Sequence, residues 1–167
     1  MIGKKESASM TARVLFVCTG NICRSPTAEA VLRRMAEDAG LGDRIETDSA
    51  GLGGWHVGEP PDARAIEAGA RRGYDLAPLR ARQVARRDFD DFDLLIGLDR
   101  GHGRHLTAQR PPESAAQVRL LLDYAPAPAR GDVPDPYYGG TAEFEHALDL
   151  IEAGTAGLLD AIRRDHL

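Results

Sequence analysis

One stretch constrains the fold more than any other: VLFVCTGNICRSPTAEAVL, Val14 to Leu32. Continuous β-favouring apolar residues in ARVLFVC fit a buried parallel strand covered on both faces. Directly after it come a cysteine, a short polar loop containing Gly20 and Asn21, and Arg24-Ser25-Pro26. Ser25 is the expected helix N-cap, with Pro26 in the first helical position. Val31, Leu32, Met35 and Ala39 then recur at helical spacing up to Gly40. The unit reads strand, loop, helix, with Cys18 at the carboxyl end of the strand.

The remaining chain repeats this alternation. RIETDSAG is an expected second strand, followed by a glycine-rich loop and a helix of about Ala63 to Arg72 ended by Gly73. FDLLIGLD is a third strand, residues 100–109 are expected to be helical, and AQVRLLLDY is a fourth strand before a proline-rich loop. Phe144, Leu148, Ile151, Leu158 and Ile162 give a long last helix an apolar stripe. Strands alternating with helices predict a three-layer α/β domain with a parallel sheet, whose ligand sites lie beyond the carboxyl ends of the strands. Residues 12–167 are expected to form one domain. Residues 1–11, polar and aperiodic, are expected to be a disordered extension, with Met10 as an alternative start.

Composition narrows the function. A net charge of −5 argues against a nucleic-acid partner, which would call for a strongly basic surface. No apolar run approaches the roughly 20 residues of a membrane-spanning helix, and no secretory signal opens the chain, so a cytoplasmic location without membrane insertion is expected. Cys18 and Cys23 are the two cysteines of the chain, too few and too close for a disulfide framework. Their role is expected to be local.

A loop entering a helix offers unpaired backbone N–H groups and the positive end of the helix dipole, which together form a natural anion site. Gly20 permits a tight turn, Asn21 tolerates a left-handed backbone, and Arg24 adds a planar fork able to grip two phosphate oxygens. The same field stabilises a thiolate at Cys18, placing a nucleophile against a phosphorus atom held by its own loop. An ester oxygen leaving that phosphorus needs a proton, and Asp135 in VPDPYYGG is the candidate donor. His102 and His105 lack a carboxylate or cysteine cluster, so they are read as solvated loop histidines and no metal is expected. Neither a dinucleotide fingerprint nor a lysine-bearing phosphate loop is found, and no cofactor is expected.

These motifs resemble a known family, the low molecular weight protein tyrosine phosphatases. VCTGNICRSP, DSAG, WHVGEPPD, RARQV, DFDDFDLLIGLD and DPYYGG occur in the family's order and spacing over nearly the whole chain from Val14. The resemblance implies a four-stranded parallel sheet flanked by helices, with the phosphate-binding loop after the first strand. It implies hydrolysis of phosphotyrosine in proteins, with Cys18 as nucleophile, Arg24 as phosphate clamp and Asp135 as general acid and later base. Thr19, Gly20, Asn21, Ile22, Cys23 and Ser25 are the implied phosphate-binding loop, supported by Ser49. Trp55, Tyr137 and Tyr138 resemble the aromatic walls of the substrate pocket. Phosphotyrosine-containing proteins, and with them a cognate tyrosine kinase, are the implied partners. A reversible Cys18–Cys23 disulfide shielding the nucleophile is a further expectation.

One departure stands out: Pro78 and Leu79 occupy the segment where the family often carries a histidine of the network behind the loop, so that network must be smaller or use other groups. Three rivals share parts of the pattern. Thiol-dependent arsenate reductases pass a disulfide to further cysteines, and none follows Cys23. Protein arginine phosphatases typically have threonine where Ile22 stands. A non-catalytic anion-binding or redox-sensing module would leave Asp135 and the aromatics idle.

Overall fold

A computed structural model describes residues 11–127, 129 and 131–167. The extension expected over residues 1–11 lies, apart from Thr11, outside the described residues. In chain order the elements are β1 (Ala12–Cys18), α1 (Arg24–Asp38), β2 (Ile45–Gly51), α2 (Ala63–Arg71), α3 (Asp88–Asp91), β3 (Leu94–Gly97), α4 (Arg100–Gln109), β4 (Gln117–Leu120) and α5 (Thr141–Asp165). A 3-10 turn, Leu121–Tyr124, follows β4.

The strands form a four-stranded parallel sheet in the order β2-β1-β3-β4. β1 is therefore central, and its side chains alternate between two cores as strand geometry requires. Val14, Phe16 and Cys18 face a cluster built with Val31 and Leu32 of α1 and with Leu148 and Ile151 of α5. Leu15 and Val17 face a second cluster with Phe89 of α3 and Leu106 of α4. Helices on both faces bury β1 from Val14 to Cys18, which explains the apolar run there, while Arg13 near its start stays exposed. No helix among the described residues is long and apolar enough to cross a membrane.

Three local expectations change. The third strand, expected over Phe92–Asp99, is limited to Leu94–Gly97: a short helix, Asp88–Asp91, precedes it, and Asp99 at its far end is taken up as the N-cap of α4. The fourth ends at Leu120, where the chain turns and seats Leu121 and Leu122, 0% and 1% exposed, under α5. At Gly154 of α5 a Cβ would meet Leu121 Cγ at 2.7 Å and its carbonyl oxygen at 3.0 Å, so this glycine permits the close approach. The expected stripe of α5 is buried throughout.

The third change concerns the first turn of α1. Cys23 is its N-cap without a side-chain capping bond, and Ser25 lies inside the helix. The Ser25 hydroxyl is committed to the loop that precedes it. At the other end the helix stops at Asp38, with Gly40 beyond it at φ 74°.

Candidate active site

The parallel sheet delivers the ends of β1, β2 and β3 to one edge. There the chain leaves β1 at Cys18, winds through residues 19–23 and enters α1 at Arg24. The carbonyls of Cys18 and Thr19 accept from the Leu52 and Gly53 amides at 2.9 and 3.1 Å, tying the loop to the end of β2. Gly51 permits that closeness: a Cβ there would stand 3.0 Å from the Thr19 carbonyl oxygen. Among the described residues, the amides of Gly20, Asn21, Ile22 and Cys23 find no protein acceptor. Four donors without partners beside a helix N-terminus suit an anion.

Asn21 has φ 59°, the one positive value at a non-glycine residue among those described. Its side chain holds this conformation from three directions. Nδ2 donates to Ser25 Oγ at 2.8 Å and to Ser49 Oγ at 2.9 Å, while Oδ1 accepts from the Arg82 amide at 2.9 Å. Ser49 in turn donates to Glu29 at 2.7 Å. Burial pushes the Glu29 carboxyl above the usual carboxylate range, against the bonds from Ser49 and Arg33. The network behind the loop thus uses Glu29 and Arg82, neither singled out in the sequence, and Pro78 and Leu79 take no part in these bonds.

Cys18 Sγ lies 3.0 Å from Ser25 Oγ. Because that hydroxyl accepts from Asn21 and its alternative acceptor, the Ala50 carbonyl, is 3.5 Å away, its hydrogen is available to the sulfur. Cys23 is buried in the same loop. Desolvation pushes its thiol up, aided by the charge of Asp62. The described structure has both cysteines as free thiols.

Arg24 is a buried guanidinium, 4% exposed. Its Nη1 donates to Asp99 Oδ2 and to the Val133 carbonyl, each at 2.9 Å, and its Nη2 lies 3.7 Å from Asp135 Oδ2. One edge of the fork is therefore anchored and the other turned toward the cavity. Asp135 is half exposed, and its Oδ1 accepts from the Tyr137 amide at 3.1 Å.

A cavity of about 250 Å³ joins these groups: Cys18, Arg24 and Asp135 line it together with the loop residues Thr19, Gly20, Ile22 and Cys23. Trp55, Tyr137 and Tyr138 supply its aromatic surface. They are 73%, 39% and 93% exposed, respectively, which a core role would not leave them. The two tyrosine rings meet edge to face with centroids 5.0 Å apart. Asn21, Ser25 and Ser49 stand behind the loop as supports.

Several contributors escaped the sequence. His56 also lines the cavity, its Nδ1 2.7 Å from Glu59. Arg64 fixes the tyrosine loop: it donates to the Tyr137 and Gly139 carbonyls at 2.9 and 3.0 Å and lies over the Tyr137 ring at 5.5 Å. Asp62 caps α2 by accepting from the Arg64 amide and pairs with the Arg64 guanidinium, linking that helix to the loop. His102 is not a solvated loop residue. It sits in the first turn of α4, 3% exposed, where it closes a capping box with Asp99. Burial and the nearby Arg24 charge push its pKa down to about 4. Burial would raise the Asp99 carboxyl, but the His102 amide and Arg24 bonds hold it below the usual range. His105, one turn on, is exposed.

The chain resembles known proteins in sequence and fold. The family model described as low molecular weight phosphotyrosine protein phosphatase matches residues 13–167. A low molecular weight protein-tyrosine-phosphatase of Streptomyces coelicolor is 55% identical over 157 residues, covering 92% of this chain and 95% of that protein. The crystal structure of YfkJ from Bacillus subtilis superposes with a TM-score of 0.87 at 42% identity, over 94% of this chain and 98% of the other. That of DARP, described as a Drosophila arginine phosphatase, gives 0.83 at 32% identity, over 91% and 98%. With the match running from the second residue of β1 to the end of α5 and beyond, the chain belongs to the low molecular weight phosphotyrosine protein phosphatase family.

Proposed function

We propose that this protein hydrolyses phosphotyrosine in proteins through a phosphocysteine at Cys18. The observation that carries the reading is the position of the Cys18 thiol at a loop whose Gly20–Cys23 amides have no protein acceptor among the described residues, in one cavity with Arg24 and Asp135. The loop and Arg24 hold the phosphoryl oxygens and neutralise charge that grows in the transition state. Cys18, as thiolate, attacks phosphorus; the P–O bond to the tyrosine breaks, and protonated Asp135 gives its proton to the departing phenolate oxygen. Asp135, now a carboxylate, takes a proton from water as that water attacks phosphorus. The P–S bond breaks, phosphate leaves and the thiolate is restored. The Ser25 hydroxyl supports the sulfur's negative charge at both ends of the cycle.

Trp55, Tyr137 and Tyr138 favour a flat aromatic ester, and Ile22 adds an apolar contact in the same cavity. Partners of this chemistry are phosphotyrosine-bearing proteins, with a tyrosine kinase supplying the ester. Phosphoarginine is the second reading, favoured by the likeness to the Drosophila arginine phosphatase and opposed by apolar Ile22. Matched peptides bearing phosphotyrosine, phosphoserine, phosphothreonine or phosphoarginine discriminate the readings by kcat/KM. Phosphotyrosine is expected to lead strongly, since a phenolate leaves more readily than an alkoxide and fills the aromatic slot. Near-equal values, or phosphoarginine ahead, would defeat the tyrosine assignment.

A further inference from the structure

His102 belongs to neither the loop nor the aromatic walls, yet its ring reaches both the loop and Arg24. The Asp99 amide N–H lies 3.2 Å from His102 Nδ1. A backbone amide can only donate, so in this bond Nδ1 accepts and the neutral ring carries its hydrogen on Nε2; Asp99 Oδ1, 3.3 Å from Nδ1, is engaged by the His102 amide at 2.9 Å. Burial keeps the ring neutral at pH 7. Nε2 is 3.0 Å from Thr19 Oγ1 and 3.4 Å from Arg24 Nη2. Of these two neighbours only the hydroxyl can accept, because a guanidinium has no lone pair to offer.

Two consequences follow from that tautomer. Thr19 Oγ1 accepts from the ring, which leaves the hydroxyl's own hydrogen free, and Thr19 lines the same cavity as Cys18 and Arg24. Arg24 Nη2 gains no acceptor from His102. Nη1 is bound to Asp99 and Val133, and Nη2 faces the Asp135 carboxylate at 3.7 Å in the cavity.

We infer that His102 is a positioning residue of the anion site, whose Nε2–H turns the Thr19 hydroxyl into a donor toward the bound phosphoryl group. The inference rests on the phosphatase reading for its substrate, but its geometry concerns anion binding as such. The charged and titratable groups around the ring are Arg24 on α1, Asp99 at the start of α4, and Asp132 and Asp135 on the loop before α5.

Glutamine is a natural partner in a capping box at this helix position, so His102→Gln keeps an acceptor for the Asp99 amide and loses the ring N–H aimed at Thr19. Steady-state hydrolysis of an aryl phosphate and affinity for inorganic phosphate are measured for the native protein, His102→Gln, Thr19→Val and the double variant. A hydrogen bond that serves a charged group supports a loss of about tenfold in kcat/KM and in phosphate affinity for each single variant. The double variant is expected to lose no more than Thr19→Val alone, because His102 acts through that hydroxyl. Unchanged phosphate affinity in His102→Gln, or a double loss equal to the product of the single ones, would overturn the inference. Nitrogen-15 NMR of the native protein needs no variant: His102 is expected as the Nε2–H tautomer at pH 7, and an Nδ1–H tautomer would contradict the bond scheme. If no aryl phosphate is hydrolysed while the phosphate affinities move as stated, the phosphatase reading fails and the positioning role stands.

Discussion

Cys18 Sγ and Ser25 Oγ lie 3.0 Å apart across the first turn of α1, and the Asn21 side chain donates from Nδ2 to the serine oxygen at 2.8 Å. This places a hydroxyl hydrogen against the sulfur without any charged base in contact with it. Loss of a hydrogen bond to a charged group costs about 1.5–3 kcal/mol. Ser25→Ala is therefore expected to lower kcat by roughly 10- to 100-fold, with the iodoacetamide alkylation rate of Cys18 near neutral pH falling in parallel. Unchanged alkylation and turnover would remove the hydroxyl from the support of the thiolate.

Asp135 shares the cavity with Cys18 and is half exposed, as a group that must meet both a leaving oxygen and water should be. For Asp135→Asn, hydrolysis of esters with poor leaving groups should fall by about 10²- to 10⁴-fold, and far less for an activated aryl phosphate that departs without a proton. Equal losses across leaving groups of widely different acidity would exclude the general-acid role.

Trp55 is exposed and packs over Gly53, where no Cβ could be accommodated beside the indole ring. Removing one aromatic wall forfeits about 0.5–1.5 kcal/mol of ring stacking. Trp55→Ala should raise KM for an aryl phosphate roughly 2- to 12-fold while affinity for inorganic phosphate stays constant. A parallel loss of phosphate affinity would place Trp55 among the supports of the loop instead of in the wall.

His102 also gives stability a pH signature. Its pKa is about 4 in the folded protein against an ordinary value of 6.5, so between those limits the unfolded chain binds a proton that the folded chain does not. Stability then falls as pH is lowered from about 6.5 toward about 4 and levels off below, by roughly 3 kcal/mol in all. Glu29, whose pKa is raised by burial, works in the opposite direction, which makes comparison with a variant necessary. Urea midpoints of the native protein and His102→Gln should converge as pH drops through this window. A constant gap from pH 7 to pH 4 would show that His102 does not titrate as its burial requires.

The fold was legible where the chain's grammar is local. An unbroken apolar strand, a glycine-bearing loop and a helical period over Val31, Leu32 and Met35 specify β1, the loop and α1 with no knowledge of the rest. The edges of elements were less legible. A serine before a proline reads as a cap, but Ser25 spends its hydroxyl on Cys18 and Asn21, and the helix begins two residues earlier, at Arg24. The run LLL after β4 fits a strand or a buried turn equally well, and the turn wins because Leu121 and Leu122 fit beneath α5. Least legible were partners set by the tertiary fold. Arg24 is bound to Asp99 and Val133, 75 and 109 residues away, and nothing near either position announces it. His102 has the same cause: RGHGRHLTAQ shows no amphipathic stripe to mark its third residue as buried, and only the convergence of β1 and β3 brings it to Thr19.

The central claim is that phosphorus is transferred to Cys18 before water takes it. Rapid quenching of the native protein with an activated aryl phosphate, followed by mass spectrometry under conditions that preserve the P–S bond, tests it directly. The account predicts a burst of phenol and one phosphoryl group on the peptide containing Cys18, with neither burst nor turnover in Cys18→Ser, whose hydroxyl is not ionised near neutral pH. A phosphoryl group on another residue, or turnover retained in Cys18→Ser, would contradict it.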